Sequence, residues 1–335
     1  MKPIKLLSIL IIGLASMAAA TPSSSADKVS FALNWVPYGL HLGPYVAEAK
    51  GFYEENGIEI EIFRGFGSGD TTKRVGTGGA DFGMADASSV IIGYSKGLPV
   101  KMVAMVLDKS SDAIYYLKDS GIESVKDLPG RTLGAAAGEA SLNLMSAFGQ
   151  GAGIDVSKIK VVNMTPPAKI PSLIAGSVDS IVTFVTEEPT ILEAAKAAGK
   201  SIGKFMFADF GVDRYAMTIL ANDSLIETNP DLVKRVLDAT MRGYAWARDN
   251  PAEAVELFAK KFPESSSELV ASQFEITLDL MITDLAKAHG LGYIDEEKMA
   301  KTIDLIGSFT TFEKDVKPED VYTISYLPKI PASGK

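Results

Sequence analysis

The sequence predicts an α/β protein of two lobes with helices added at its C-terminal end. Three observations carry this. Short β-rich runs alternate with helical stretches from Val29 to about residue 222, that rhythm restarts near Ile122, and the chain then turns almost wholly helical. At 335 residues the chain is also too long for one ordinary hydrophobic core, so two domains are expected.

The first set of units opens with VSFALNW as a strand and GPYVAEAKG as a helix, Pro44 suiting a first turn and Gly51 a C-terminal cap. IEIEIF puts Ile58, Ile60 and Ile62 on one face and glutamates on the other, a half-buried strand. TTKRVGTG, ADFGMA, SSVIIGYSKG and VKMVAMVL continue as helix, strand, helix and strand. The second set runs from the turn SVKDLPG through the strand RTLGAAAG, the helix EASLNLMSAFGQGAG and the strand KIKVVNM. It ends with KIPSLIAGSVDS as helix, IVTFV as strand, PTILEAAKAAGK as helix and SIGKFMFAD as strand. YAMTILAND is one more strand.

Beyond it, NPDLVKRVLDATMRGYAWARDN carries Val233, Val236, Leu237, Met241 and Tyr244 at helical spacing, with Trp246 as a core residue. PAEAVELFAKKF, SSSELVASQFEITLDLMITDLAKAHG and EEKMAKTIDLIGSF are expected as three further amphipathic helices. No Pro/Gly/Ser-rich linker separates the halves, which suits two extended crossovers near residues 113 and 216. The expected division is residues 27–113 with 216–335 in one lobe and 114–215 in the other. Two lobes joined by two crossovers leave a cleft between them, where ligands bind.

Residues 1–26 stand outside this plan. MKPIKLLSILIIGLASMAAA has Lys2 and Lys5, an apolar run and small residues ending at Ala18-Ala19-Ala20, the pattern of a secretory signal peptide cleaved after Ala20 or Ala26. An exported, periplasmic protein is expected. Its removal takes two lysines and no acids from 33 basic and 42 acidic residues, leaving a net charge of −11. That charge, and the lack of any basic cluster, opposes nucleic-acid binding. The chain has no cysteine and two histidines, which excludes thiolate chemistry, iron–sulfur clusters and sites built from several histidines. No cofactor or metal is expected.

Ligands of open parallel sheets sit at the carboxyl ends of strands beside helix N-termini. Four such segments hold small or polar residues: GFGSGDTT after Arg64, ADASS after Met84, AGEAS after Ala136 and VTEEP after Phe184. Each alone could be plain helix capping. Four of them in two similar lobes point to one shared cleft. GFGSGD lacks the later glycine of a dinucleotide fingerprint, and no phosphate-loop motif occurs. Glu187 and Glu188 are adjacent, so on an extended segment they face opposite ways and do not flank one bond. One of them is expected to face the cleft as an acceptor. Asp86 could do the same or simply cap a helix. No Ser-His-Asp arrangement stands out; His289 complements a helix C-terminus, and His41 reads as a hydrogen-bonding pocket wall.

LNWVPYGLHLGPYVAEAKGFYEENGIEIEI, GSGDTTKRVGTGGADFGMADASS and KIPSLIAGSVDSIVTFVTEEP, in this order, resemble the solute-binding proteins of bacterial ABC importers in the thiamine-pyrimidine-precursor and sulfonate group. The resemblance implies the type II periplasmic-binding fold, a central cleft with two crossovers, and delivery of ligand to an inner-membrane permease with its cytoplasmic ATPase. It implies a monomer without catalytic activity. The N-W-x-P-x-x-x-H pattern is most similar to the pyrimidine-precursor branch. By position it implies that Asn34, Trp35 and His41 line the first lobe, joined by Ser68, Asp86 and Ser88. Gly138, Ser141 and Glu187 would face them, Glu187 accepting ring amino N–H bonds and Trp35 stacking on the ring for about 0.5–1.5 kcal/mol beyond area burial. The alternatives are a sulfonate, nitrate or other small-anion binder, and an enzyme similar to the fungal pyrimidine synthases. His41 matches the active-site histidine of those enzymes, but their cysteine-rich motif is missing here.

Overall fold

The computed structural model describes residues 26–333, so the expected signal peptide lies, but for Ala26, outside the described residues. Ten strands form two five-stranded sheets. The first takes β1 (Asp27–Ala32), β2 (Ile58–Phe63), β3 (Phe82–Asp86), β4 (Val100–Met105) and, last in the chain, β10 (Met217–Asn222), in the order β2-β1-β3-β10-β4. The second takes β5 (Asp112–Leu117), β6 (Thr132–Ala135), β7 (Lys160–Asn163), β8 (Ser180–Phe184) and β9 (Ile202–Met206), in the order β7-β6-β8-β5-β9.

β1 pairs in parallel with β2 and β3, and β6 with β7 and β8. In each sheet one inserted strand runs the other way. β10 is antiparallel to β3 and β4, and β5 is antiparallel to β8 and β9. These are the strands that follow the two passages between sheets. A chain that crosses over enters the new sheet from the cleft end, so its first strand runs against its neighbours.

The C-terminal helices close the outer side of the first sheet. The helix Pro230–Asp249 starts on Asn229, whose Oδ1 accepts the Leu232 N–H at 3.2 Å. It packs against Leu42–Ala49 at a crossing that only glycine allows: a Cβ on Gly243 would lie 2.1 Å from the Gly43 carbonyl oxygen. Val233, Val236, Leu237 and Tyr244 join Phe31, Phe82 and Met84 in the core there. Trp246 is only partly buried at its edge, with the Lys50 ammonium 4.3 Å from its ring. The single helix expected over SSSELVASQFEITLDLMITDLAKAHG is two, Ser267–Met281 and Asp284–His289. Thr283 breaks it, capping the second with a bond from the Ala286 N–H at 3.3 Å.

Candidate functional site

The cleft is built where strand ends from both sheets meet. After β1 the chain is pinned to the loop after β2: the Gly65 N–H donates to the Trp35 carbonyl at 3.0 Å and the Gly67 N–H to the Asn34 carbonyl at 2.8 Å. A Cβ at Gly65 would sit 2.0 Å from the Leu33 carbonyl oxygen, so this closure requires glycine. The result aims Asn34 and Trp35 at the second lobe. Between the lobes lies a small, narrow cavity, walled by Asn34, Trp35, Tyr38, Gly67 and Ser68 on one side. Glu139, Ala140, Thr183, Phe184 and Glu187 form the other.

The lobes are in direct contact around it. The Tyr38 hydroxyl and Thr186 Oγ1 are 2.9 Å apart, the Gln273 amide donates to Thr190 Oγ1 at 2.9 Å, and the Gly69 N–H reaches the Gly138 carbonyl at 3.3 Å. Outside the cavity a wider groove shares the walls Trp35, Tyr38 and Glu187 and continues between Pro166–Pro171 and the start of the Ser267–Met281 helix.

The charges of the cavity are arranged as one closed pair and one spare carboxylate. Lys169, 2% exposed, bonds Glu139 and donates to the Val182 carbonyl at 2.9 Å; its ammonium also lies 5.0 Å from the centre of the Trp35 ring. Glu139 takes the Ala136 N–H at 2.8 Å, and burial pushes its carboxyl up from the ordinary value while Lys169 opposes the shift. Glu187 accepts from the Thr183 hydroxyl through one oxygen. Glu188 turns away to Lys204 at 2.5 Å and Tyr115. Burial, with the Glu187 charge adding, raises Tyr38 well above its usual value, so its hydroxyl stays protonated.

Of the residues singled out in the sequence, Asn34, Trp35, Ser68 and Glu187 line this cavity; His41, Asp86, Ser88, Gly138 and Ser141 do not. His41 is fully buried behind Asn34: its Nδ1 accepts the Tyr38 N–H at 3.3 Å and its Nε2 lies 2.9 Å from Asn34 Oδ1. Burial alone lowers its pKa to about 3, so the imidazole is neutral. Asp86 caps the helix Ala87–Ser95, taking the Ser88 N–H at 2.9 Å and the Ser88 hydroxyl at 2.6 Å. Both Asp86 oxygens also accept from Arg214 at 2.9 Å, and Arg214 reaches Asp112 at 2.5 Å, with Ser141 donating to Asp112 at 2.6 Å. Asp86, Ser88 and Ser141 thus belong to a charge cluster between the lobes. Gly138, at φ +78°, packs on Gly67 and Gly69 at the lobe contact.

Tyr38, Glu139, Thr183 and Phe184 are cavity residues that sequence reasoning passed over. Tyr38 lies inside NWVPYGLH and Glu139 inside AGEAS, segments already marked. Lys169 has no signal at all, since a lysine in an amphipathic helix ordinarily faces water.

Two α/β sheets, a chain that passes twice between them and a cavity at the facing strand ends define the periplasmic-binding-protein fold. Solved structures of that form superpose on the chain. A protein of Bordetella bronchiseptica does so at a TM-score of 0.74, with 19% identity over 90% of this chain and 96% of the other. The periplasmic aliphatic sulphonate binding protein SsuA of Escherichia coli does so at 0.65, with 17% identity over 93% and 95%. More particularly, residues 39–254 match the NMT1/THI5-like family, and the chain belongs to it. Similar relatives include the formylaminopyrimidine-binding protein of Halalkalibacterium halodurans, 24% identical over 96% of this chain and 99% of its own. The riboflavin-binding protein RibY of Chloroflexus aurantiacus is 27% identical over 94% and 90%. A 4-amino-5-hydroxymethyl-2-methylpyrimidine phosphate synthase of Legionella pneumophila is 27% identical over 93% and 96%.

Proposed function

We propose that this chain is an exported solute-binding protein that captures a small flat heterocycle bearing amino groups, of the pyrimidine type, and hands it to an ABC permease. The carrying observation is the cavity's composition: an indole wall, an amide and a carboxylate with one unbonded oxygen, and no cation among its lining residues. Trp35 offers a face for a planar ring, Asn34 and Glu187 offer polar groups from opposite lobes, and Phe184 adds an apolar wall. Behind the wall Lys169 is paired with Glu139, so among the described residues the cavity offers no free cation for a sulfonate or nitrate. Relatives named for a formylaminopyrimidine and for riboflavin, both planar nitrogen heterocycles, favour the same class of ligand.

In this reading residues 27–113 with 216–335 form one lobe and residues 114–215 the other, residues 1–26 direct export to the periplasm, and the protein acts as a monomer. A synthase reading has support from relatives of that name. Against it stands His41, whose two ring nitrogens are both occupied within the protein, away from the cavity. Calorimetry of the purified protein against aminopyrimidines and alkanesulfonates tests the proposal. Binding of aminopyrimidines without turnover is expected; a response to sulfonates alone, or conversion of a pyrimidine that His41→Ala abolishes, refutes it.

A further inference from the structure

The orientation of a buried carboxamide follows from one backbone hydrogen. The Tyr38 N–H points at His41 Nδ1 from 3.3 Å, and a backbone N–H can only donate. Nδ1 is therefore the acceptor nitrogen. In a neutral imidazole the proton then sits on Nε2, and burial pushes the ring down to a pKa of about 3, which keeps it neutral. Nε2 lies 2.9 Å from the side chain of Asn34. An Nε2–H needs an acceptor, so the Asn34 atom that faces it is the carbonyl oxygen. This fixes the amide from the network. The Asn34 NH2 is left over, and it has no protein partner among the described residues. Asn34 is 2% exposed and lines the cavity, and its backbone is held by the Gly67 N–H.

We propose that His41 is a positioning residue: it holds the Asn34 carboxamide so that its NH2 donates into the cavity, and thereby selects rings that present an acceptor nitrogen to the first lobe. Glu187 supplies the opposite polarity from the second lobe, since Thr183 engages one of its oxygens and the other has no protein partner among the described residues. A neutral ring with a bare nitrogen and an amino group meets both demands. A ring with the amino group alone leaves the Asn34 donor unpaired. This deepens the function proposed above and rests on it for the ligand class, but not for the state of His41.

Two experiments test it. Nitrogen-15 correlation spectra of the ligand-free protein at neutral pH read the tautomer, with His289→Gln removing the second histidine's signals. The Nε2–H form is expected for His41; an Nδ1–H form or an imidazolium overturns the proposal. Calorimetry then compares 4-aminopyrimidine with aniline, which keeps the ring and amino group but has no ring acceptor. The wild-type protein is expected to prefer the pyrimidine by tenfold or more. His41→Leu loses about tenfold of that preference, His41→Gln, which retains an N–H donor, restores most of it, and Asn34→Ala matches His41→Leu. The double variant should lose no more than either single one. Losses that add, or a preference untouched by His41→Leu, overturn the proposal. If neither ring binds, the pyrimidine reading fails and the tautomer alone decides the role of His41.

Discussion

Replacing Arg214 by methionine should destabilise the protein severely. Arg214 is fully buried and faces two carboxylates from different sheets, Asp86 at the end of β3 and Asp112 at the start of β5. Methionine retains most of the side-chain stem and leaves two buried carboxylates without a counter-charge. Breaking a buried ion pair in this way costs about 3–5 kcal/mol. At roughly 2 °C per kcal/mol for a chain of this size, Tm should fall by about 6–10 °C. A pH series sharpens the test. Burial lifts Asp86 to about 6, with Arg214 opposing and Asp112 adding, against about 3.9 in an unfolded chain. The folded state then binds the proton more tightly, so stability rises as pH falls through about 6 and is lost as pH rises through that value. Without Arg214 the lift is greater, so Arg214→Met should regain more Tm between pH 8 and pH 5 than the wild type does. Adding Asp86→Asn and Asp112→Asn should recover much of the loss. Circular dichroism melts at each pH measure all of this. A Tm within 2 °C of wild type at pH 7.5, or a variant that loses stability on acidification, would refute the reasoning.

Glu187→Gln should weaken aminopyrimidine binding by about 1.5–3 kcal/mol, the worth of a hydrogen bond to a charged group. Glu188→Gln, whose native partner is Lys204, should leave calorimetric affinity unchanged. Gly243→Ala forces a Cβ to within 2.1 Å of the Gly43 carbonyl, so overpacking of about 1–3 kcal/mol should lower Tm, and an unshifted melt would count against the helix contact. Since Trp35 and Trp246 are the two tryptophans, Trp246→Phe leaves one reporter in the cavity wall. Ligand should then change its emission in a saturable titration, whereas Trp35→Phe should remove that response.

Much of the architecture was legible because it rests on periodicities. The alternation in IEIEIF and the helical spacing of Val233, Val236, Leu237 and Tyr244 follow from which faces are buried, and one sequence records that directly. The break at Thr283 was not legible, because its hydroxyl serves the helix equally well as a cap or as a mid-helix residue. At the site, residues on marked loops were found only as far as their loop was found. Asn34, Trp35, Ser68 and Glu187 reach the cavity, while Asp86 is drawn off by Arg214 and Ser141 by Asp112, partners that arrive from distant parts of the chain. Side-chain direction at a strand end depends on partners that arrive from elsewhere in the chain. His41 illustrates the point: its loop is at the cleft, but the Tyr38 N–H and the Asn34 amide turn the ring inward.

The two buried lysine- and arginine-centred clusters divide the work of the cleft. Arg214 with Asp86 and Asp112 holds one cation against two carboxylates and ties both sheets to the second crossover, where no ligand needs to reach. Lys169 is balanced one to one by Glu139, which lines the cavity, and its ammonium lies over Trp35 behind that wall. A ligand that entered as an anion would have to compete with Glu139 for Lys169 and would leave a buried carboxylate uncompensated, a loss of the same 3–5 kcal/mol kind as removing Arg214. A neutral amino-heterocycle asks for no such exchange. It would use the second Glu187 oxygen and the Asn34 NH2, which have no protein partner among the described residues. On the proposed function, discrimination between anionic and neutral ligands would follow from where the fold has placed its own counter-charges, and Glu139→Gln is the variant that should shift that balance toward anions.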